Sequence, residues 1–157
     1  GNFSFGSTTA RTFTCAAKCM EAGVPIAELS EHLFRSRSQA RTRLTGRALN
    51  NIRYENGVAI LRLTKQDFAE CGATLADTEN LVNYGIETQG IRLAMMAIER
   101  DAGTRFSLRG KGEVDVSRIA QRFGGGGHPC AAGATVNLPM DEAIEAVLRA
   151  ATDERED

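Results

Sequence analysis

The sequence has few of the residues that build metal centres or disulfide frameworks. Its 157 residues include only two histidines, His32 and His128, and four cysteines at positions 15, 19, 71 and 130. A pair of divalent ions needs a cluster of aspartates and histidines, so we expect no metal site in this chain. The cysteine spacing fits neither a disulfide nor a zinc pattern, which favours a reduced, cytoplasmic protein.

Long apolar runs and a strong net charge are also missing. No stretch is long enough to span a bilayer and no signal peptide is recognisable, so we expect no membrane partner. The formal net charge is -1, and any attraction for nucleic acid must therefore come from local charge. The 42% hydrophobic and 25% charged fractions are typical of a soluble globular protein.

Four consecutive glycines followed by a histidine form the most informative stretch, FGGGGHPCAAG at 123–133. Glycines take positive φ freely, and their N–H groups can converge on an anion. Pro129 suits the first position of a helix that Ala131 continues and Gly133 ends, which would point a helix N-terminus at the ligand. The flanking segments are apolar and periodic, unlike a flexible linker. The predicted phosphate-binding loop consists of Gly124, Gly125, Gly126, Gly127 and His128.

Arg109 and Lys111 extend this candidate site. Arg109 ends a predicted strand just before a glycine-bounded loop, where a guanidinium can hold a phosphate through two parallel hydrogen bonds. Lys111 lies between two glycines, and simple exposure explains it equally well. His128 can donate to a phosphate oxygen or shuttle a proton.

A family resemblance rests on four segments read together. They are TRFSLRGKG at 104–112, VDV at 114–116, Ile119-Ala120 and the glycine stretch at 123–133. Their combination resembles the C-terminal, DHH-associated domain of DHH phosphoesterases. Within that superfamily the chain is most similar to the oligoribonucleases (nanoRNases) that also dephosphorylate phosphoadenosine phosphate, pAp. In that family the arginine matching Arg109 and the histidine matching His128 face the substrate.

The first residues resemble another part of the same enzymes. The stretch GNFSFGSTTARTF at 1–13 is similar to a segment that follows a metal-binding aspartate at the end of the catalytic domain, and no Asp-His-His motif occurs in the chain. The resemblance thus implies a fragment of a hydrolase, inactive by itself, with no catalytic residue and no metal ligand. Two ions, manganese in this family, would be bound by the missing catalytic domain, the partner in cis. The implied substrate is short RNA or a nucleotide phosphate.

The predicted fold is α/β, with a mixed sheet of about five strands and flanking helices, preceded by a helical linker. The predicted divisions are residues 1–24 as the edge of the catalytic domain, 25–49 as the linker, 50–152 as the DHH-associated domain and 153–157 as a frayed acidic tail. Asn56-Gly57 predicts a hairpin turn. The segment from Arg35 to Arg53 carries six arginines and no acid. It is either a phosphate-contacting helix or a solvated linker helix.

Two other functions remain open. The chain could be a free-standing nucleic-acid-binding module, or a tRNA-contacting or dimerising domain like the one at the C-terminus of alanyl-tRNA synthetases. Against the second, the loop continues as HPCAAG and no long coiled coil precedes it. The sequence does not distinguish among short RNA, pAp, cyclic-dinucleotide products, single-stranded DNA and polyphosphate, nor does it indicate an oligomeric state.

Overall fold

The computed structural model describes residues 6–154. The chain divides into two compact units, Gly1–Arg37 and Ser38–Asp157. Residues 1–5 of the stretch that resembles the catalytic-domain edge, and residues 155–157 of the predicted acidic tail, lie outside the described residues. No helix within 6–154 is both long and apolar enough to cross a membrane.

The first unit is helical. Its helices are α1 (Ala10–Glu21), α2 (Ile26–Ser30) and a π-helical turn (Glu31–Arg35). Thr9 precedes α1, and its N–H donates to Thr12 Oγ1 over 3.1 Å, which satisfies one of the free donors at the helix start. Among the described residues of this unit, none is buried.

The second unit is built on one mixed sheet of six strands, so the predicted α/β fold with about five strands is confirmed with one strand more. The strands are β1 (Arg53–Glu55), β2 (Val58–Leu63), β3 (Leu93–Arg100), β4 (Gly103–Gly110), β5 (Gly126–His128) and β6 (Ala131–Val136). Their order across the sheet is β1-β2-β3-β4-β6-β5. Among the strand pairs of the described residues, only β2–β3 is parallel. The predicted hairpin turn between β1 and β2 is confirmed, because Asn56 and Gly57 have φ values of 48° and 78°.

Two hydrophobic cores lie on opposite faces of this sheet. The helices are α3 (Gln39–Asn50), α4 (Lys65–Cys71), α5 (Asn83–Ile86), α6 (Val116–Gln121) and α7 (Met140–Asp153), with a 3-10 turn at Leu75–Thr78. Residues of α6 and α7 form the first core with Phe106 and Leu108 of β4, together with residues of β2, β3 and β6. Residues of α3 and α5 form the second core with β2 and β3. No described residue of β4, β5 or β6 belongs to the second core. This leaves one face of these three strands open.

The helix predicted to begin at Pro129 is wrong. Pro129 and Cys130 form the turn between β5 and β6, and Ala131 begins a strand. Because β6 pairs with β4 on one side and β5 on the other, its backbone groups are satisfied by the two ladders. Its side chains also alternate, with Ala132, Ala134 and Val136 buried in the first core.

The helix of the arginine-rich segment packs into the second core, whereas a solvated linker helix would be exposed on all sides. Its helix α3 spans Gln39–Asn50, and Leu44 and Ala48 are fully buried in the second core.

The start of the predicted acidic tail is helical, because α7 extends through Asp153. Arg122 pairs with Asp153 and Arg118 with Glu154, which holds this start of the predicted tail. The predicted domain boundaries themselves stay predictions.

Candidate functional site

The strand register brings Arg109 and His128 onto the open face. Arg109 lies opposite Ala131, and Ala131 lies opposite His128. Residues directly opposite one another on paired strands share a face, so the three side chains form one row across β4, β6 and β5. The strands of Arg109 and His128 are about 10 Å apart, with only the small Ala131 between them.

Two further rows complete this face. Ser107, Gly133 and Gly126 form the next row, and Arg105 lies opposite Thr135 in the one beyond. The middle row therefore has almost no side-chain bulk, whereas the rows beside it carry Arg109, His128 and Arg105. We call these three rows the open face.

The arginines of the open face have no acidic partner among the described residues. Among residues 6–154, no carboxylate lies within ion-pair distance of Arg105 or Arg109. Arg109 Nη1 donates to the carbonyl oxygen of Leu108 over 3.0 Å, which leaves most of its five donors available. Arg118 and Arg122, by contrast, each pair with acids near the end of α7. Unpaired guanidinium groups on a concave surface attract an anion and can bind it with charge-assisted hydrogen bonds.

The fold itself explains why three of the four consecutive glycines are glycine. Gly124 has φ +70° just after α6, and its N–H donates to Gln121 O. A Cβ on Gly125 would collide with the backbone of Gly133 and Ala134. A Cβ on Gly127, where φ is +149°, would lie 2.5 Å from Ala131 O. These glycines are needed where the chain leaves α6 and passes close to β6.

Gly126 differs from its three neighbours. A Cβ at this position would meet no atom within 4 Å, and its φ lies outside the positive range. It also belongs to the middle row of the open face, beside Gly133. The fold therefore does not require glycine at this position, which is consistent with a ligand that approaches the backbone closely.

Lys111 is not brought to this face. Its Nζ donates to the carbonyl oxygen of Ile86 at the end of α5, and its N–H donates to Arg92 O over 2.9 Å. It also lines a different cavity from Arg109, one of about 970 Å³ shared with Arg92 and Asp115. A cation at a helix C-terminus stabilises the helix, so Lys111 has a structural explanation.

Arg105 and Ser107 also belong to the site, although they were not among the site residues predicted from the sequence. They line a cavity of about 470 Å³ with Arg109, and a second one of about 570 Å³ with residues 123–126 and 132–135. The alternation along β4 could have indicated that these residues share a face with Arg109. Arg105, Ser107 and Arg109 occupy every second position, and the residues between them are buried. Because these residues lie within the motif at 104–112, their alternation is easily overlooked.

Apart from Met96 of β3, the rest of the lining of the 470 Å³ cavity comes from the segment 75–82, which we call the rim. Asp77 fixes this segment, since Thr74 N–H donates to its Oδ2 over 2.8 Å and Ser38 Oγ donates to its Oδ1 over 3.1 Å. The pKa of Asp77 lies below its ordinary value, first because of the hydrogen bond from the Thr74 backbone and then because of the Thr74 and Ser38 hydroxyls and the charge of Arg41. The first turn of α3 thus holds the rim against the open face.

No group of three or more His, Cys, Asp or Glu residues within the described part of the chain could hold a metal ion. The polar groups that the described residues bring to the open face are guanidinium, imidazole, hydroxyl and backbone groups, which suit hydrogen bonding to an anion.

The comparison with family models identifies this unit. Residues 55–156 match the DHHA1 domain. The chain belongs to the DHHA1 family, and the resemblance to the DHH-associated domain is confirmed.

Among proteins of described activity, similar ones are bifunctional oligoribonuclease and PAP phosphatase NrnA of two bacteria. The protein of Thermus thermophilus is 33% identical over 155 residues, which cover 98% of this chain and 47% of that protein. The protein of Bacillus subtilis is 31% identical over 144 residues, covering 91% and 45%. This chain spans about half the length of these relatives.

The fold also matches a solved structure. An exopolyphosphatase-related protein from Bacteroides fragilis superposes with a TM-score of 0.90 at 23% identity, over 96% of this chain and 45% of that one. At this identity the likeness shows the fold alone.

Proposed function

We propose that this chain supplies the substrate-binding half of a metal-dependent phosphoesterase that hydrolyses short oligoribonucleotides and pAp. The observation that carries the proposal is the open face, where Arg105, Arg109 and His128 surround the uncrowded row that contains Gly126. The relatives named for these two activities support the choice of substrate. They favour a phosphoesterase over the synthetase-like alternative.

In this proposal the residues of the open face bind substrate and leave the bond breaking to another domain. Activation of water belongs to two divalent ions, manganese in our proposal, held by residues outside this chain. Arg109 binds a phosphate through its guanidinium fork, Arg105 adds a second positive charge, and His128 donates from β5, at the other end of the row that begins with Arg109. Binding energy from these remote contacts positions the scissile bond. We place the enzyme in the cytoplasm and count nucleic acid among its ligands.

To test this proposal, pAp is titrated into this chain while the NMR signals of backbone amides and arginine side chains are monitored. We expect the signals of Arg105, Arg109, Gly126 and His128 to move first. Movement confined to arginines of α3 and its flanks would refute the proposal and favour the arginine-rich segment as the nucleic-acid surface.

Arginine variants measure the contribution of the fork. Replacing Arg109 with Ala removes charge-assisted contacts worth about 1.5–3 kcal/mol, so the affinity for pAp should fall by at least about tenfold. Arg109→Lys should recover only part, because a point charge does not reproduce the bidentate fork. Arg149→Ala is the matched control, since Arg149 is an exposed arginine on α7, the helix that packs on the opposite face. Equal affinity of the Arg109→Ala and Arg149→Ala variants would contradict the assigned role.

A further inference from the structure

The rim offers a different chemistry from the arginines that it faces. Glu79 and Asn80 line the same cavity of about 470 Å³ as Arg105, Ser107 and Arg109. This volume lies within the roughly 300–1,000 Å³ typical of small-molecule sites. A ligand that fills the cavity thus meets the cations of β4 and, on the rim, a carboxylate and a carboxamide.

The backbone of the rim is held in place while these two side chains remain available. Arg41 Nη2 donates to the carbonyl oxygen of Glu79 over 2.8 Å, and Thr78 Oγ1 donates to Leu75 O over 2.7 Å. The side chains of Glu79 and Asn80 are exposed, and neither makes a hydrogen bond or ion pair within the described residues. A preorganised backbone that presents unused polar groups lowers the entropy cost of binding.

Asn80 also adopts an uncommon backbone conformation, with φ at 62°. In the described part of the chain only Asn56 shares a positive φ among non-glycine residues, and it lies in the β1–β2 hairpin turn. Asn tolerates this region better than most residues, yet such a conformation still has an energetic cost when a side chain is retained. Glycine would adopt it more easily, so the carboxamide is the feature that distinguishes Asn80 from the easier choice.

We propose that Glu79 and Asn80 bind the base of a nucleotide whose phosphate is held by Arg105 and Arg109, and that they favour bases with an exocyclic amino group. This inference rests on the proposed function. An ionised carboxylate only accepts hydrogen bonds, so Glu79 gains a partner from the amino group of adenine. An oxo group in the same position turns lone pairs toward the carboxylate and leaves it without that partner. Asn80 both donates and accepts, so it serves the adjacent ring nitrogen of either base.

The test compares three ligands that differ in one feature at a time. Dissociation constants of AMP, IMP and inorganic phosphate are measured for this chain by calorimetry, because IMP replaces the amino group of AMP with an oxo group. We expect AMP to bind at least about fivefold more tightly than IMP. In Glu79→Gln that ratio should fall to about one, since an amide can donate to the oxo group. Loss of the negative charge beside the arginines raises the affinity for all three anions alike, so the ratio isolates recognition of the base.

Two further variants sharpen the test. Asn80→Gly keeps the positive φ without strain and removes the carboxamide, and it should weaken AMP and IMP binding while leaving inorganic phosphate unchanged. Glu142→Gln, an exposed glutamate on α7, should leave all three constants unchanged. Equal affinities for AMP and IMP in the wild type, or an unchanged ratio in Glu79→Gln, would overturn this inference alone. A wild-type chain that binds none of the three ligands would overturn the proposed function as well.

Discussion

The run of four glycines allows a prediction in which neighbouring positions respond in opposite ways. At Gly127 a Cβ would lie 2.5 Å from Ala131 O and 2.6 Å from Ala132 Cα, well under the 3.0 Å that real Cβ atoms keep. The obstructing atoms are backbone of β6, which is paired on both sides and has little room to shift. The φ of +149° adds strain for any residue with a side chain.

Gly127→Ala should therefore destabilise the domain strongly. Overpacking contributes about 1–3 kcal/mol and backbone strain a similar amount, so the loss is about 2–6 kcal/mol out of a typical total of about 5–15 kcal/mol. The melting temperature should fall by roughly 5–20 °C, measured by circular dichroism. A melting temperature within about 2 °C of the wild type would refute the strand register around β5.

Gly126→Ala is the matched control for stability and the informative variant for binding. Its Cβ meets no atom within 4 Å, so the free energy of unfolding should change by no more than about 0.5 kcal/mol. The added methyl group lies on the open face and should obstruct a ligand that approaches the backbone. We expect weaker pAp binding with an unchanged melting temperature. Unchanged affinity would show that the substrate does not lie against β5.

Two other predictions concern catalysis and acid stability. This chain with manganese should not hydrolyse pAp or short oligoribonucleotides, because its described residues hold no metal-binding cluster; turnover that survives exclusion of contaminating nuclease would contradict the proposal. Because the pKa of Asp77 is lowered in the fold, its contribution to stability is fully present above the ordinary value of 3.8 and is lost as the pH falls through the lower folded value. Asp77→Asn should therefore reduce stability at neutral pH and flatten the acid limb of a stability–pH curve, and an unchanged acid limb would show that Asp77 does not anchor the rim.

Signals confined to a few adjacent residues sufficed for much of the fold. Thr64 and Asp67 cap α4 reciprocally, so the start of this helix follows from two residues three positions apart. The Asn56-Gly57 turn follows from two residues that tolerate positive φ. A nearly continuous apolar run at 91–98 is typical of a buried strand, and β3 is buried over most of its length. In each case the decisive interaction lies within one turn of helix or one strand.

The glycine stretch could not be resolved in the same way. Pro129 and Ala131 favour a helix locally, but pairing with β4 and β5 satisfies more backbone groups and buries one face of β6. The partners of β6 on β4 lie between 22 and 32 positions upstream, so local propensity does not predict this pairing. The importance of the glycines was therefore predictable from the sequence, but the conformation predicted after them was wrong.

The family could be recognised from the sequence alone, because each of its motifs is a short segment of specific residues. The set of residues that form the site could not be predicted in this way. Arg105 and Ser107 became part of it only when the register aligned them with Thr135 and Gly133, and Lys111 separated from it when its ammonium group bound the carbonyl at the end of α5. The rim joins the site because α3, distant in sequence, anchors it. Residue types and local geometry are encoded nearby in the chain, whereas the faces that meet are decided by long-range pairing and packing.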